Sequence, residues 1–326
     1  MKIRNGLMNM FVIENKEFGW DEIVLAAETW GEWRSFFEAT RRSLGCLRLA
    51  AKTGRLPGAA ETREVANAYR YAHNLISADE ARIWLSRWGL TVDQWMDYLR
   101  GQMLREHWSN RLEEILACNP VTDQEVTQVV GCHAVFADKL EEWSRRLAGR
   151  AAVAAGSGIF ETDRLRSIKS SEELVYRIEA EFQLQLQRIA TPKLIEAKIA
   201  DHRLDWIRVD SRYIWFGEER IAREAALCVT NDGLTLEEVA FDAHGIVQQW
   251  NFYLDEIEPA TRPHFLAARK GEWLGPIKMI EGFPLFSIVG KRMPAADDLK
   301  IRDRAEQALI AGMMEQAIDE RVTWIR

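Results

Sequence analysis

Apolar residues in the first 150 positions recur at mixed intervals of three and four, the spacing that places them along one side of an α-helix. Over residues 21–52 this pattern predicts a single amphipathic helix, which ends at the stretch 54–58 containing Pro57. A further long helix is predicted from residue 91 to Asn119-Pro120. The first 150 residues are therefore predicted to form a mainly helical lobe.

Five helix starts carry a specific local signal, in which a hydroxyl residue stands three positions before an acid or amide. At this spacing each side chain accepts a hydrogen bond from the backbone N–H of the other residue, so two free donors at the helix start are satisfied. The pairs are Ser77 with Glu80, Thr91 with Gln94, Thr122 with Glu125, Ser170 with Glu173, and Thr235 with Glu238.

The alanine- and glycine-rich stretch 151–158 has two interpretations. It is a linker that separates two lobes, or it extends the preceding helix. Connecting helices are then predicted up to residue 203. One of them begins after Ser170 and stops at Thr191-Pro192, because proline cannot take part in the hydrogen bonding of a helix interior.

From residue 204 the hydrophobic pattern changes. Ile207 and Val209 alternate with Arg208 and Asp210, as expected of a half-buried strand over residues 206–214. Helices are predicted at 217–229 and after Thr235, a strand at 246–253, a short helix at 262–268, and a hairpin of strands at 277–280 and 285–289. A final helix is predicted from about residue 298 to 320, with a strand after it.

These elements predict an α+β protein. A helical lobe over residues 1–150 is followed by a linker and connecting helices over 151–203, a second domain over 204–294, and a C-terminal helix and strand over 295–326.

Composition and charge argue against nucleic-acid binding, a disulfide-based fold and a membrane span. A net charge of −7 disfavours binding to phosphate backbones, which requires a concentrated basic surface. Four cysteines in 326 residues are too few for a disulfide scaffold and suit a reducing compartment. We find no signal-peptide pattern and no run near the ~20 apolar residues of a membrane helix. The chain is therefore expected to be cytoplasmic, with neither nucleic acid nor membrane as a partner.

Metal and nucleophile chemistry have little support in the sequence. Cys132-His133 is the one pair that resembles metal ligands, but it lacks a second closely spaced pair, and a zinc site normally takes four ligands. No serine stands in a nucleophile elbow. We predict no metal, no cofactor and no catalytic residue.

Three short sequences accompany the predicted elements of the second domain: Ile257-Glu-Pro259, Gly275-Pro276 and Gly282-Phe283. With these sequences in this order, residues 204–294 resemble a parvulin-type prolyl isomerase domain. The resemblance implies the fold order βααβαββ and a pocket for an extended peptide.

The departures from the parvulin pattern fall on the reactive positions. Arg208 stands where the family has the histidine of its first strand, Pro284 where it has the histidine of its last strand, and Ile257 where it has the pocket methionine. Prolyl isomerisation must lower a barrier of ~18–20 kcal/mol with an apolar slot and placed polar groups. We therefore expect a degenerate domain with little or no isomerase activity.

Two further resemblances bear on function. The helical lobe followed by a parvulin-like domain resembles SurA-type chaperones, in which the end of the chain returns to the first lobe; accordingly, we predict that the strand over 321–326 pairs with residues 11–14. The sequence of residues 204–228 and 254–256 resembles that of PpiC-related proteins of peptide maturation systems. That resemblance implies a chaperone or scaffold for a precursor peptide of ribosomally made, modified peptides.

A peptide-binding surface is predicted in the second domain, with a possible extension in the first. Its floor is predicted to consist of Ile257, Phe265, Phe283 and Phe286, accompanied by Phe252, Tyr253 and Arg208. Trp84, Trp88 and Trp95 of the helical lobe line a peptide groove or belong to the core, and the core is the more common place for aromatic residues at helical spacing.

Three functions remain open from the sequence. The first is a non-catalytic chaperone or scaffold that binds a precursor peptide or an unfolded polypeptide. The others are an active prolyl isomerase with a rearranged pocket and a subunit that docks a peptide-modifying enzyme.

Overall fold

The computed structural model describes residues 9–279 and 281–325, which form an α+β protein as the sequence predicts. The strands are β1 Asn9–Ile13, β2 Lys16–Gly19, β3 Arg208–Ile214, β4 Gln248–Tyr253, β5 Trp273–Leu274, β6 Leu285–Arg292 and β7 Val322–Trp324. The helices of the first half are α1 Trp20–Thr29, α2 Trp33–Thr53, α3 Ala59–Ala72, α4 Ala78–Trp88, α5 Val92–His107, α6 Leu112–Cys118, α7 Asp123–Phe136, α8 Lys139–Ala155 and α9 Thr162–Ser167. Those that follow are α10 Ser171–Ile189, α11 Pro192–Asp201, α12 Glu219–Asn231, α13 Leu236–Asp242, α14 Arg262–Ala267 and α15 Leu299–Arg321.

The chain divides into two compact units. The first unit contains the residues up to Gln185 together with those from Met313 onward, and the second unit contains Leu186–Gly312. The helices α10 and α15 contribute residues to both.

A small sheet in the first unit joins residues from far apart in the chain. Its strand order is β2-β1-β7, and both pairings are antiparallel. Phe11 of β1 stands opposite Phe18 of β2 on one side and Trp324 of β7 on the other. The rings of Phe11 and Phe18 stack with their centroids 4.7 Å apart. The predicted pairing of the C-terminal strand with residues 11–14 is confirmed.

Two long helices predicted in the first lobe are each broken into two. The prediction of one helix over 21–52 is wrong, because Gly31 adopts a φ of 75° between α1 and α2. The N–H of Gly31 donates to the carbonyl of Glu28 at 2.9 Å, which closes a turn where the helix would have continued. The predicted helix from residue 91 to 119 is likewise interrupted between His107 and Leu112.

The predicted capping signals are present at the helix starts. Ser77, Thr91, Thr122 and Thr235 each accept a hydrogen bond from the residue three positions on, and the side chain of that residue accepts one in return. The fifth pair differs in its return bond: Ser170 accepts from the N–H of Glu173, while the Glu173 carboxylate accepts from the N–H of Lys169. A cap of this kind is typically worth about 1 kcal/mol.

The alanine-rich stretch continues the helix rather than forming a linker. Helix α8 runs to Ala155, and Ala151, Ala152 and Ala154 are fully buried in the first unit. Small side chains suit both a linker and a closely packed helix, so the composition alone did not distinguish the two interpretations.

The second unit is built on a four-stranded antiparallel sheet of order β4-β3-β6-β5. Helices α12 and α13 pack on one face of it, where Ile214 and Leu285 point. The other face carries Phe252 and Phe286, with Phe265 of α14 on top of them. The order of elements along the chain is the predicted strand, helix, helix, strand, helix, strand, strand.

Strand β5, the third strand of this unit along the chain, lies earlier than predicted. The prediction of a strand at 277–280 is wrong for residues 277–279. The strand that pairs with β6 is β5, Trp273–Leu274. Ile280 lies outside the described residues. Gly275 has a φ of 117° and is followed by Pro276, whose nitrogen carries no hydrogen. The β5–β6 ladder stops there; beyond it the N–H of Ile277 donates to the carbonyl of Pro284 at 3.1 Å, and an isolated bridge joins Met279 and Gly282.

Candidate functional site

Three residues of the predicted floor, Ile257, Phe265 and Phe286, come together with Phe252 on one face of the second unit's sheet. Phe252, Ile257, Phe265 and Phe286 belong to a single apolar cluster, which we call the floor. Phe265 is 0% exposed, and its ring lies edge-on to those of Phe252 and Phe286 with centroids 5.0 and 5.1 Å away. These side chains are packed core, so they support a binding surface without providing most of it.

The strand registers arrange the residues of this face of the sheet in three rows, which together we call the aromatic face and which include the floor residues Phe252 and Phe286. The rows consist of Phe252, Val209 and Lys291; of Trp250, Ser211 and Ile288; and of Gln248, Tyr213, Phe286 and Leu274. Since directly paired residues of an antiparallel sheet point to the same side, all of these side chains lie on one face.

The surface that a ligand can touch is made by half-buried residues at the edge of the floor. Tyr213, Trp250, Leu274, Ile277 and Met279 pack against the floor cluster and stay partly accessible. The ring of Trp250 lies 4.2 Å from that of Phe252, and the ring of Tyr213 lies 5.6 Å from that of Phe286. None of these residues was among those predicted from the sequence, although the spacing of two between Trp250 and Phe252 and between Ser211 and Tyr213 indicated that each pair shares one face of a strand.

The polar groups of the aromatic face are engaged with the protein. The hydroxyl of Ser211 donates to the carbonyl of Trp250 at 2.7 Å, and the hydroxyl of Tyr213 donates to the Gln248 side chain. The ammonium of Lys291 donates to the carbonyl of Leu266 at 2.8 Å, and burial lowers the pKa of this lysine. None of the described residues that form the three rows is a histidine, cysteine or carboxylate.

The remaining predicted residues of the second unit lie elsewhere. Phe283 packs in the cluster beneath α12 and α13, on the opposite side of the sheet. Arg208 points to that side as well, where its Nε donates to the carboxylate of Asp210 at 3.0 Å. Tyr253 packs beside Trp206 in a third cluster. Neither Arg208 nor Tyr253 faces the floor.

The three tryptophans predicted in the helical lobe differ in exposure. Trp95 is buried, with its ring 5.5 Å from that of Tyr69, and belongs to the core of the first unit. Trp84 and Trp88 are half-buried. The structure thus favours the core interpretation for Trp95 and leaves a surface role for Trp84 and Trp88 as a prediction.

A cleft in the second unit contains a group of charge pairs. The cleft, of about 650 Å³, is lined by His202, Trp206, Asp255, Arg304 and other residues. Within it the guanidinium of Arg304 donates to Asp255 at 2.6 and 2.7 Å and to Glu256 at 2.8 Å, and it lies 4.4 Å from the ring centroid of Tyr253. Because its cation and carboxylates satisfy each other, this cleft is a weaker candidate than the aromatic face.

The described residues contain neither a candidate metal site nor a candidate membrane-spanning helix. In that part of the chain, no three or more histidine, cysteine, aspartate or glutamate side chains are grouped so that they could hold a metal ion. Cys132 and His133, the pair noted in the sequence, are both buried in α7. None of the described helices combines the length and apolar character needed to cross a membrane.

Comparison with known proteins gives distant structural likenesses. No family model matches the chain, and no curated protein matches it in sequence. It is similar to the peptidylprolyl isomerase PrsA from Bacillus anthracis, with 14% identity over 67% of this chain and 96% of that chain and a TM-score of 0.28. It is also similar to PrsA from Bacillus cereus, with 15% identity over 69% of this chain and 85% of that chain and a TM-score of 0.33.

A SurA-like chaperone of Campylobacter jejuni is similar over 98% of this chain and 99% of that chain, with 8% identity and a TM-score of 0.22. These three neighbours are PrsA or SurA-like proteins. At these identities and TM-scores the likeness determines neither the fold nor the function of the chain.

Proposed function

We propose that this protein is a peptide-binding chaperone or scaffold that holds extended polypeptide against the aromatic face. The observation that carries the proposal is the half-buried pair Tyr213 and Trp250 above the floor residues Phe252 and Phe286. Rigid aromatic side chains on a packed base offer a large apolar contact area and lose little conformational freedom on binding.

The proposed role is binding without catalysis. The described polar side chains of the aromatic face bond to the protein itself, Lys291 to the carbonyl of Leu266 and Ser211 to that of Trp250, while Arg208 bonds to Asp210 on the other side of the sheet. Lowering a barrier of ~18–20 kcal/mol requires groups placed for the transition state. Binding of an extended chain requires only the apolar contacts and the strand geometry.

The client that we propose is a precursor peptide of a maturation system for ribosomally made, modified peptides, bound in the cytoplasm. This finer assignment is supported by the resemblance of residues 204–228 and 254–256 to PpiC-related proteins of such systems. Four free cysteines suit a reducing compartment and thus the cytoplasmic part of the proposal.

The proposal is tested by titrating a labelled, proline-containing apolar peptide with the protein and with Trp250→Ala. We expect the variant to bind at least about tenfold more weakly, as for other aromatic hot spots. Phe241→Ala is the matched control, because Phe241 is 81% exposed on α13, which packs on the opposite face of the sheet. Equal affinity of Trp250→Ala and the wild-type protein would contradict the proposed site.

The same preparation separates the alternatives. Concentration-dependent acceleration of prolyl isomerisation in the free peptide would establish an isomerase. Capture of a modifying enzyme in the absence of peptide, unaffected by Trp250→Ala, would establish a docking subunit.

A further inference from the structure

Strand β4 is an edge of the second unit's sheet, and it lacks the features that usually protect such an edge. Its six residues, Gln248–Tyr253, include no charged residue and no proline. Its register with β3 is continuous over all six positions, without a bulge. Natural edge strands are commonly blocked by lysine, proline, bulges or short length, because an open edge pairs with other chains. The opposite edge, β5, follows that rule by being two residues long.

Hydrogen bonds at the end of β4 determine which main-chain groups face outward. The N–H of Leu254 donates to the carbonyl of Ile207 on the β3 side, whereas the N–H of Tyr253 donates to the Glu256 side chain. In an antiparallel ladder the direction alternates from residue to residue. The N–H and C=O groups of Gln249 and Asn251 therefore point away from β3.

These outward groups are accessible. Gln249 and Asn251 are both exposed, and no hydrogen bond joins their main-chain groups to another of the described residues on the open side. Between them stands Trp250, whose side chain belongs to the aromatic face. The open edge is thus continuous with the surface to which a client is proposed to bind.

The chemistry of the edge selects its occupant. A row of alternating N–H and C=O groups is matched by the main chain of another extended polypeptide, which repeats the same alternation at strand spacing. We propose that an extended client segment adds to the sheet as a fifth strand along β4, with main-chain hydrogen bonds to Gln249 and Asn251. This inference rests on the proposed peptide-binding function and specifies how the peptide is held.

Strand addition fixes which side chains of the client are recognised. Residues that stand directly opposite Gln249 and Asn251 exchange hydrogen bonds with them and place their side chains on the face away from Trp250. The residues between them have their main-chain N–H groups turned to solvent and their side chains over the aromatic face. A client therefore needs apolar residues at every second position and a free N–H at the others.

The test uses two isomeric peptides with alternating apolar and polar residues. One carries N-methyl groups at the polar positions and the other at the apolar positions, and the affinity of each is compared with that of the unmethylated peptide. We expect at least about a tenfold loss for methylation at the polar positions, where the N–H faces β4, and less than about a threefold change at the apolar positions. Because the protein is unchanged, misfolding cannot produce this asymmetry.

A second measurement changes the protein. Asn251→Pro removes the outward N–H, and proline is tolerated on an edge where that N–H does not join the ladder. Asn251→Ala removes the same side chain but keeps the N–H, so weaker binding by the proline variant isolates the main-chain bond. Circular dichroism of both variants establishes that the sheet is intact.

The outcomes distinguish this inference from the function on which it rests. If the two methylated peptides bind equally while Trp250→Ala still weakens binding, strand addition is wrong and the aromatic face remains the site. If the unmethylated peptide does not bind at all, both are wrong. A dimer in sedimentation equilibrium that Asn251→Pro dissociates and peptide does not displace would assign the edge to a second copy of the chain, which also overturns the inference.

Discussion

The indole N–H of Trp30 donates a hydrogen bond of 3.0 Å to the carboxylate of Glu179, joining the end of α1 to α10 within the first unit. The guanidinium groups of Arg146 and Arg150 lie 4.8 and 5.0 Å from the Trp30 ring, and Arg150 also forms an ion pair with Glu179. One tryptophan thus links three helices through its ring and its single donor. Loss of Glu179 leaves the indole N–H of the half-buried Trp30 without this acceptor, whereas loss of Trp30 leaves Glu179 with Arg150 as a partner.

Replacing Trp30 by phenylalanine is expected to lower the free energy of unfolding by about 1–3 kcal/mol, since a hydrogen bond to a charged acceptor is lost while an aromatic ring remains. Urea denaturation measures this change. Tyr176→Phe on the same helix as Glu179 is the control, because Tyr176 is 73% exposed and its replacement should change stability by less than about 0.5 kcal/mol. Equal midpoints for the two variants would show that the Trp30 link contributes nothing.

His133 is expected to make the stability of the protein depend on pH. Burial lowers the pKa of its imidazole to about 4 from an ordinary value of 6.5, and nearby Arg105 acts in the same direction. The unfolded chain therefore takes up a proton near pH 6.5, whereas the folded chain does so only near pH 4. The contribution of His133 to stability is complete above pH 6.5 and decreases as the pH falls to 4, by at most about 3 kcal/mol.

The measurement is urea unfolding between pH 4 and 7 of the wild-type protein and of His133→Gln, whose side chain does not titrate. The variant is expected to be less stable at pH 7, because it disturbs a packed site beside the Tyr98 ring at 5.1 Å. Its stability should decline less steeply toward pH 4 than that of the wild-type protein. The same slope in both proteins would contradict the assignment to His133.

Gly282 is predicted to tolerate no side chain. Its φ is 150°, and a Cβ atom there would lie 2.4 Å from the carbonyl oxygen of Phe216 and 2.8 Å from Nε1 of Trp215. Gly282→Ala should therefore destabilise the second unit by about 2 kcal/mol or more. Gly217→Ala is the matched control, since nothing lies within 4 Å of its added Cβ. Thermal unfolding of the two variants compares them directly, and similar midpoints would refute the close approach at Gly282.

The features that the sequence predicted well are those determined by neighbouring residues or by periodicity. The capping pair Thr122 and Glu125 closes over four residues, so its geometry follows from the spacing alone. The alternation of Arg208 and Val209 likewise located β3, because a strand places successive side chains on opposite faces. The break at Gly31 was missed, since the apolar spacing continues through it while the backbone does not.

The exposure of the candidate site could not be predicted from such local patterns. Trp250 and Phe252 stand two positions apart on the same face, yet one is half-buried and the other buried. The difference arises because Phe265 of α14 covers Phe252, with ring centroids 5.0 Å apart. That contact depends on where a distant helix packs. From the sequence, Phe265 and Phe286 were predicted as floor residues and Phe252 as a neighbour of that floor, whereas Trp250, the half-buried residue beside them, was not selected.

The distinction between floor and surface gives a last prediction: alanine substitution of a floor residue should mainly reduce stability, whereas alanine substitution of a surface residue should mainly reduce peptide affinity. Phe265→Ala removes a fully buried ring and leaves a cavity, so it should lower the free energy of unfolding by about 3–5 kcal/mol. Trp250→Ala removes a half-buried ring at the edge, so it should weaken peptide binding by at least about tenfold while costing less stability than Phe265→Ala. Denaturation and peptide titration on both variants, with Phe241→Ala as the exposed control, measure the two effects separately. A Trp250→Ala protein as destabilised as Phe265→Ala, with peptide binding reduced only in proportion to unfolding, would place Trp250 in the core and remove the binding surface proposed above it.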